Sequence, residues 1–270
     1  DVMPAKRRGE GIGYFGLGNT FAQSLGPLTG FWLYAHYEFN QIFLFSFAIA
    51  CVGVLSILPI SAPKLNKPKV DEPKEALSWD RFILIRALPC VLLLFLVGYG
   101  YGTISNFVGL YCVNSSFECN PSLFFIIFAV GVVISRLLSA KAINAGKVVL
   151  VILFGSLLSV AGYFTLAYCN AEWLFFVGAL SIGIGFGCIT PAFQSMLVNL
   201  APNNRRGTAN ATFYTFFDLG IGAGIVMGGV IIEYLDFTTL LVVCASLILL
   251  GSAYFQLISA KYYERQKLVD

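Results

Sequence analysis

Asp218 lies midway through an apolar stretch, residues 208–231, where an ionised carboxylate is costly unless it faces water or a partner. Asn210, Tyr214 and Asp218 recur every four residues, so a helix through them carries a single polar stripe. A carboxyl group in that position can exchange a proton with a wet cavity or hold a cationic solute, and the amide and phenol beside it can hydrogen-bond a polar one. Read as structure alone, the same stripe is a hydrogen bond between neighbouring helices. Tyr99, Thr103 and Asn106 follow steps of four and three and form a second polar face, softened by Gly98, Gly100 and Gly102. Asn19 with Gln23, and Gln194 further along, add amides that donate and accept. Together these side chains are expected to surround a cavity for a small solute. His36 stands alone and the seven cysteines have no metal-ligand spacing, so catalysis, a metal and a cofactor find no support here. A glycine loop with its phosphate-binding lysine is also missing, which argues against ATP hydrolysis.

The segments that must position these groups are apolar and long. Hydrophobic residues make up 58% of the chain and charged residues 11%, with a mean hydropathy of +0.81, against roughly 25% charge in a soluble domain. From Glu172 to Arg205 no charge occurs at all, a longer run than the roughly 20 residues a helix needs to cross a bilayer. Eight spans are predicted, at 11–33, 41–60, 83–104, 122–139, 148–168, 173–195, 208–231 and 236–258. Alternating them gathers all 17 Lys and Arg on or near one side, which the positive-inside rule makes cytoplasmic, with the C-terminus there too. Glu38, Glu118, Glu172, Glu233 and Asp236 fall on the other side. The basic residues are scattered over separate loops, so a nucleic-acid partner has no support. Cys112 and Cys119 lie near the outer side, where a disulfide and two free thiols both remain open.

One stretch occurs twice. PAKRRGEGIGYFGLGNTFAQSLGPLTG, from Pro4 to Gly30, and PNNRRGTANATFYTFFDLGIGAGIVMG, from Pro202 to Gly228, align without a gap. They share Pro4/Pro202, Arg7/Arg205, Arg8/Arg206, Gly9/Gly207, Phe15/Phe213, Gly26/Gly224 and Gly30/Gly228. Each copy is a basic turn feeding a glycine-spaced helix, with a repeat unit of six membrane helices. A chain of two such halves places four further helices ahead of Pro4, so the sequence is expected to lack the first third of the whole. Gly13, Gly26, Pro27 and Gly30 in one copy, and Gly224 and Gly228 in the other, are expected at a bend or a tight helix contact.

The first copy resembles the fifth helix of major facilitator superfamily transporters, where a glycine-rich pattern ending in Gly-Pro-x-x-Gly-Gly marks the proton-coupled antiporter branches. Gly13, Gly26, Pro27 and Gly30 match it, while Ala22 and Phe31 replace two of its glycines. Residues 202–228 resemble the eleventh helix, and the chain as a whole helices five to twelve. The loop 139–148 resembles the family's basic loop between helices eight and nine, with Gly146 and Lys147 in place but Ile143 and Asn144 where an acid and a base stand. This resemblance implies an all-α membrane protein of major facilitator-like bundles, an incomplete first half and a six-helix second half. Residues 1–60 would be the last two helices of the first bundle, 61–82 a cytoplasmic linker, 83–260 the second bundle and 261–270 a cytoplasmic tail. It also implies a multi-pass carrier in the cell's inner (plasma) membrane, monomeric when complete, that exchanges a small molecule for a proton in efflux. Uptake with a proton, or a receptor or structural protein that transports nothing, are the alternatives. Arg7, Arg8, Arg136, Lys141, Arg205 and Arg206 are candidates for the cytoplasmic gate, with contact to membrane lipid phosphate the other reading of Arg136 and Lys141.

Overall fold

The computed structural model describes residues 18, 22, 25–59, 82–115, 117, 119–202 and 205–268, and the chain divides into two compact units, Asp1–Ala76 and Leu77–Asp270. In the first unit, residues 25–36 form helix α1 and Phe39–Ile57 form α2. The break between them is closed locally. The Glu38 amide donates to Gln41 Oε1 at 3.1 Å, giving one of the unbonded donors at the start of α2 a partner. Phe43, Phe47, Val54 and Leu55 leave the surface of α2 apolar and open within its unit.

The second unit begins with a 3₁₀ turn, Ile85–Cys90, that runs into α3 (Val91–Asn114). Then come α4 (Pro121–Asn144), α5 (Val148–Ala167), α6 (Glu172–Asn199), α7 (Arg206–Tyr234) and α8 (Phe237–Tyr254). A π turn, Phe255–Ser259, joins α8 to α9 (Ala260–Gln266). Among the described residues, seven helices are long and apolar enough to cross a membrane.

Local chemistry sets where these helices start. The Asn120 carboxamide oxygen accepts from the amides of Ser122 and Leu123 at 2.9 and 3.4 Å, and Pro121 at the first helical position has no amide to satisfy. Asp236 does the same for α8, accepting from the Thr239 amide at 2.7 Å. Hydrogen bonding from the Thr239 side chain, and then from its amide, holds the Asp236 carboxyl below the usual carboxylate range. This cap is therefore present above the unfolded carboxylate pKa and is lost as pH falls through the lower folded value. Gly146, at φ +77°, makes the turn between α4 and α5 in the left-handed region that glycine occupies without strain. Cys112 and Cys119 are joined as a disulfide across the turn that follows α3.

The interior of the second unit is built by helix pairs. α3 lies along α7 and also meets α8, while α6 receives both α4 and α5. The backbones of α3 and α7 come so near that a Cβ on Gly220 would stand 2.1 Å from the Phe95 carbonyl oxygen, and one on Gly224 2.1 Å from that of Tyr99. Gly98 and Gly102 answer from α3, where a Cβ would meet the carbonyls of Phe217 and Ile221. Only glycine fits a contact made backbone to backbone. Tyr101 of α3 closes the centre, stacking on Phe186 at 4.8 Å between centroids and reaching Phe128 and Phe217. Buried hydroxyls fold back on their own helices: Ser135 to the Val132 carbonyl at 2.8 Å, Ser159 to Gly155 at 3.0 Å and Ser252 to Ile248 at 2.7 Å. Each of these three hydroxyls thereby finds its partner on its own helix.

Among the described residues, two helix ends lie furthest from those predicted. α3 continues to Asn114, ten residues past the predicted end at 104, since Asn106 and Asn114 bond to carbonyls one turn back and so are compatible with helix. Helix also persists past 258 to Gln266, because Tyr263 is 2% exposed and its hydroxyl accepts from Asn199 Nδ2 at 2.9 Å. Leu268 then donates its amide to the Asn199 carbonyl at 2.9 Å.

The glycine contact yields a graded expectation. Gly220→Ala and Gly224→Ala each lower the stability of the full-length protein by roughly 1–3 kcal/mol, the usual range for overpacking. Gly222→Ala, where no atom lies within 4 Å, leaves it unchanged or slightly raised. Melting temperatures in detergent check this, and equal behaviour of the three variants would rule out a backbone contact at α3 and α7.

Candidate functional site

α7 presents two kinds of surface. Ala209, Thr212, Phe213, Phe217, Gly220, Gly224 and Gly228 are turned into the bundle. The remaining arc divides again: Leu219, Val226, Met227 and Val230 are exposed and apolar, while Ala211, Thr215, Asp218 and Gly222 are exposed and small or polar. Asp218 stands about 160° around the helix from Gly220 and only about 40° from Tyr214, by 3.6 residues per turn. Lipid suits the apolar arc. It does not suit a carboxyl group near the midpoint of a membrane-length helix, so the polar arc needs water or a polar partner in front of it. No hydrogen bond or ion pair to Asp218 occurs among the described residues, which leaves the reading of a helix-to-helix hydrogen bond without a partner within this unit.

One turn from Asp218, three helices converge. Gln194 of α6 donates from Nε2 to the Tyr214 hydroxyl oxygen at 3.3 Å. Arg136 of α4 is within electrostatic reach of the same hydroxyl. All three side chains are half-buried, as is Asn210 one turn earlier on α7. From the sequence, Arg136 falls near the end of the predicted span 122–139 and is grouped with Lys141 as a candidate for the cytoplasmic gate. In the structure Lys141 is exposed, whereas Arg136 lies about 12 Å along the axis from the Asn144 end of α4. Arg205 and Arg206 are half-buried where α7 begins.

Other candidates from the sequence lie elsewhere. Thr103 is 1% exposed, and its hydroxyl lies 3.0 Å from the Tyr99 carbonyl oxygen and 3.3 Å from that of Gly224. It therefore belongs to the α3–α7 contact. Tyr99 is likewise buried, near Cys244 of α8. Asn106 is exposed and bonds Gly102 and Ser105 on its own helix. The polar stripe read on α3 is thus split between the interior and the surface. Gly224 and Gly228 pack against Tyr99 and Phe107, while Gly26 and Gly30 meet nothing within 4 Å in their own unit, with Pro27 half-buried between them. Arg7, Arg8, Gly13, Asn19 and Gln23 lie outside the described residues.

A separate cavity of about 500 Å³ opens where α3, α5 and α7 end, lined by Tyr111, Asn114, Ser115, Cys169, Asp236 and Phe237 among others. Tyr111 stacks on Phe175 at 5.9 Å and donates to the Leu166 carbonyl at 3.1 Å, which fixes one wall. None of the transport candidates named from the sequence lines it.

The division of the α7 surface can be checked by thiol labelling, because a maleimide needs a thiolate and a thiolate needs water. In a full-length background with its free cysteines replaced, Asp218→Cys and Thr215→Cys react readily, while Leu219→Cys and Val226→Cys react at least about tenfold more slowly. Uniform rates along α7 would remove the distinction between a wet and a lipid arc.

A sequence model described as Major Facilitator Superfamily matches residues 1–225 and, again, 121–268. The chain is 28% identical over 243 residues to the uncharacterized MFS-type transporter YhhS of Salmonella enteritidis, covering 87% of this chain and 58% of that one. The Escherichia coli K12 protein of the same name is 27% identical over the same length. The chain thus spans under two thirds of the relatives it matches. Among solved structures, a bacterial homolog to the human lysosomal transporter Spinster, inward-facing and unoccupied, superposes with a TM-score of 0.60 at 14% identity, covering 100% of this chain and 74% of that one. A POT family transporter in complex with a thioalcohol-conjugated peptide gives 0.56 at 15% identity, covering 97% and 56%. These likenesses show a shared helical fold, and with the sequence match they establish that this multi-pass membrane chain belongs to the major facilitator superfamily.

Proposed function

We propose that the protein is a secondary transporter that expels a small molecule in exchange for protons moving inward. The observation that carries this reading is the polar arc of α7. Asp218 is exposed near the midpoint of α7, one turn from Tyr214, which accepts a hydrogen bond from Gln194 of α6, on a helix whose opposite side is locked into the bundle. A titratable group so placed serves a carrier that opens its cavity to each side in turn, binding and releasing a proton at a fixed site. Asn210 and Asn106 add hydrogen-bonding surface for the solute. The side carrying Arg205, Lys147 and the C-terminus is taken as cytoplasmic from the distribution of Lys and Arg, in the inner membrane.

The reading also assigns the parts of the chain. Residues 1–60 supply two helices of a first bundle, 61–82 a cytoplasmic linker and 83–260 a complete second bundle, with 261–270 a cytoplasmic tail. Alternating access needs two walls around the solute site. The carrier works as a monomer.

Reconstitution of the full-length protein in proteoliposomes with an imposed proton gradient tests the proposal. Asp218→Asn slows gradient-driven exchange at least about tenfold and flattens its pH dependence, with insertion and melting temperature unchanged. Wild-type flux and pH dependence in a folded Asp218→Asn protein would remove the coupling role, and solute entering together with protons would make the carrier a symporter. Residues 1–270 alone, purified beside the full-length protein, show no saturable exchange, since one wall has only two helices to exclude lipid. Comparable exchange by 1–270 as a monomer would overturn the two-wall scheme.

A further inference from the structure

The cluster of Arg136, Gln194 and Tyr214 has a chemical bias. An arginine side chain stays protonated at any physiological pH, so Arg136 brings a fixed positive charge and only hydrogen-bond donors. Gln194 donates to the Tyr214 oxygen, which directs the hydrogen of that hydroxyl away from Gln194. A donor of α4 and one of α7 thus lie within electrostatic reach of each other, the latter one turn from the exposed Asp218. Acceptor-rich, negatively charged groups suit such a set, because charge-assisted bonds to carboxylate or phosphate oxygens are about twice as strong as neutral ones.

The position of Arg136 on α4 favours a solute over lipid. On α4 the apolar surface consists of Leu123, Ile126, Val130, Val133, Leu137 and Leu138, the last two 73% and 70% exposed. Phe128, Val132, Ser135 and Ser139 form the buried side against α6. Arg136 sits at the edge of that buried side, about 40° from Val132 and about 100° from Leu137, half-buried and within electrostatic reach of Tyr214 of α7.

We propose that Arg136, with Tyr214 and Gln194, binds the anionic group of the transported solute, so that the substrate class is a small organic anion. This rests on the transport reading and narrows it: Asp218 handles the proton and Arg136 the charge of the cargo.

The test uses the purified full-length protein and three probes of one shape, benzoate, benzamide and benzylammonium, with the shift in melting temperature as the readout of binding to the folded state. Benzoate stabilises the wild type saturably and the other two do not. Arg136→Gln weakens the benzoate response at least about tenfold, whereas Arg136→Lys, which keeps the charge but not the fork, loses less. If Arg136→Gln fails to fold, Gln194→Leu and Tyr214→Phe take its place, each weakening the benzoate response. A preference for benzylammonium or benzamide, no benzoate response, or a response untouched in every variant would overturn the proposal. So would stabilisation by phosphatidylglycerol that depends on Arg136 while benzoate has no effect, since the anion would then be a lipid headgroup. Benzoate binding lost in Arg136→Gln, together with no flux in proteoliposomes, would uphold the anion site and defeat the transport reading.

Discussion

In a bilayer, an apolar side chain gains little by leaving lipid for another helix, so the cohesion of this bundle depends on how near two backbones can come. The α3–α7 pair is the clearest case. Gly98 and Gly102 on one helix and Gly220 and Gly224 on the other leave room for the opposite carbonyls, and Thr103 lies across the gap within hydrogen-bonding distance of the Gly224 oxygen. What the rest of the unit can do follows from this contact. With one side of α7 committed to α3, the position of Asp218, about 160° around the helix from Gly220, is held away from the bundle.

The aromatic centre depends on the same geometry. Tyr101, one residue before Gly102, is turned toward Phe186 and Phe128 by the close approach of its helix to α7, so rings from α3, α4, α6 and α7 meet in one cluster. Polar side chains then fall into two populations. Hydroxyls within the cluster bond their own helix, whereas Gln194 and Tyr214 bond across helices at its edge. Function is assigned to the second population because there groups from different helices face one another one turn from the exposed Asp218.

Much of this was legible in the sequence. The long charge-free runs located the spans, and the stripe of Asn210, Tyr214 and Asp218 needed only the helical period. The face of α3 was not. Tyr99 and Thr103 obey the same four-residue step whether they line a cavity or a helix contact, and the deciding partner, Gly224, is 121 residues away in the chain. Arg136 was grouped with Lys141 because both are basic, although five residues turn them about 140° apart. Its place beside Ser135, away from the leucines at 137 and 138, was the available signal. The charged residues after 258 were read as a tail because Lys261, Glu264 and Arg265 outweigh Tyr263, the one side chain that buries itself against α6.

That last stretch sets a constraint of length. The π turn at Phe255–Ser259 closes its hydrogen bonds one residue later than an α turn does, so it absorbs one residue more in the same advance. Everything beyond it is rotated accordingly. Ser259 is thereby brought to the Pro89 carbonyl at 2.6 Å, and Tyr263 to Asn199. The end of α8 is in this way keyed to two surfaces at once, the 3₁₀ turn that leads into α3 and the last turn of α6. The number of residues between them acts as the thread pitch of a screw, so a shift along α8 carries both of those surfaces with it.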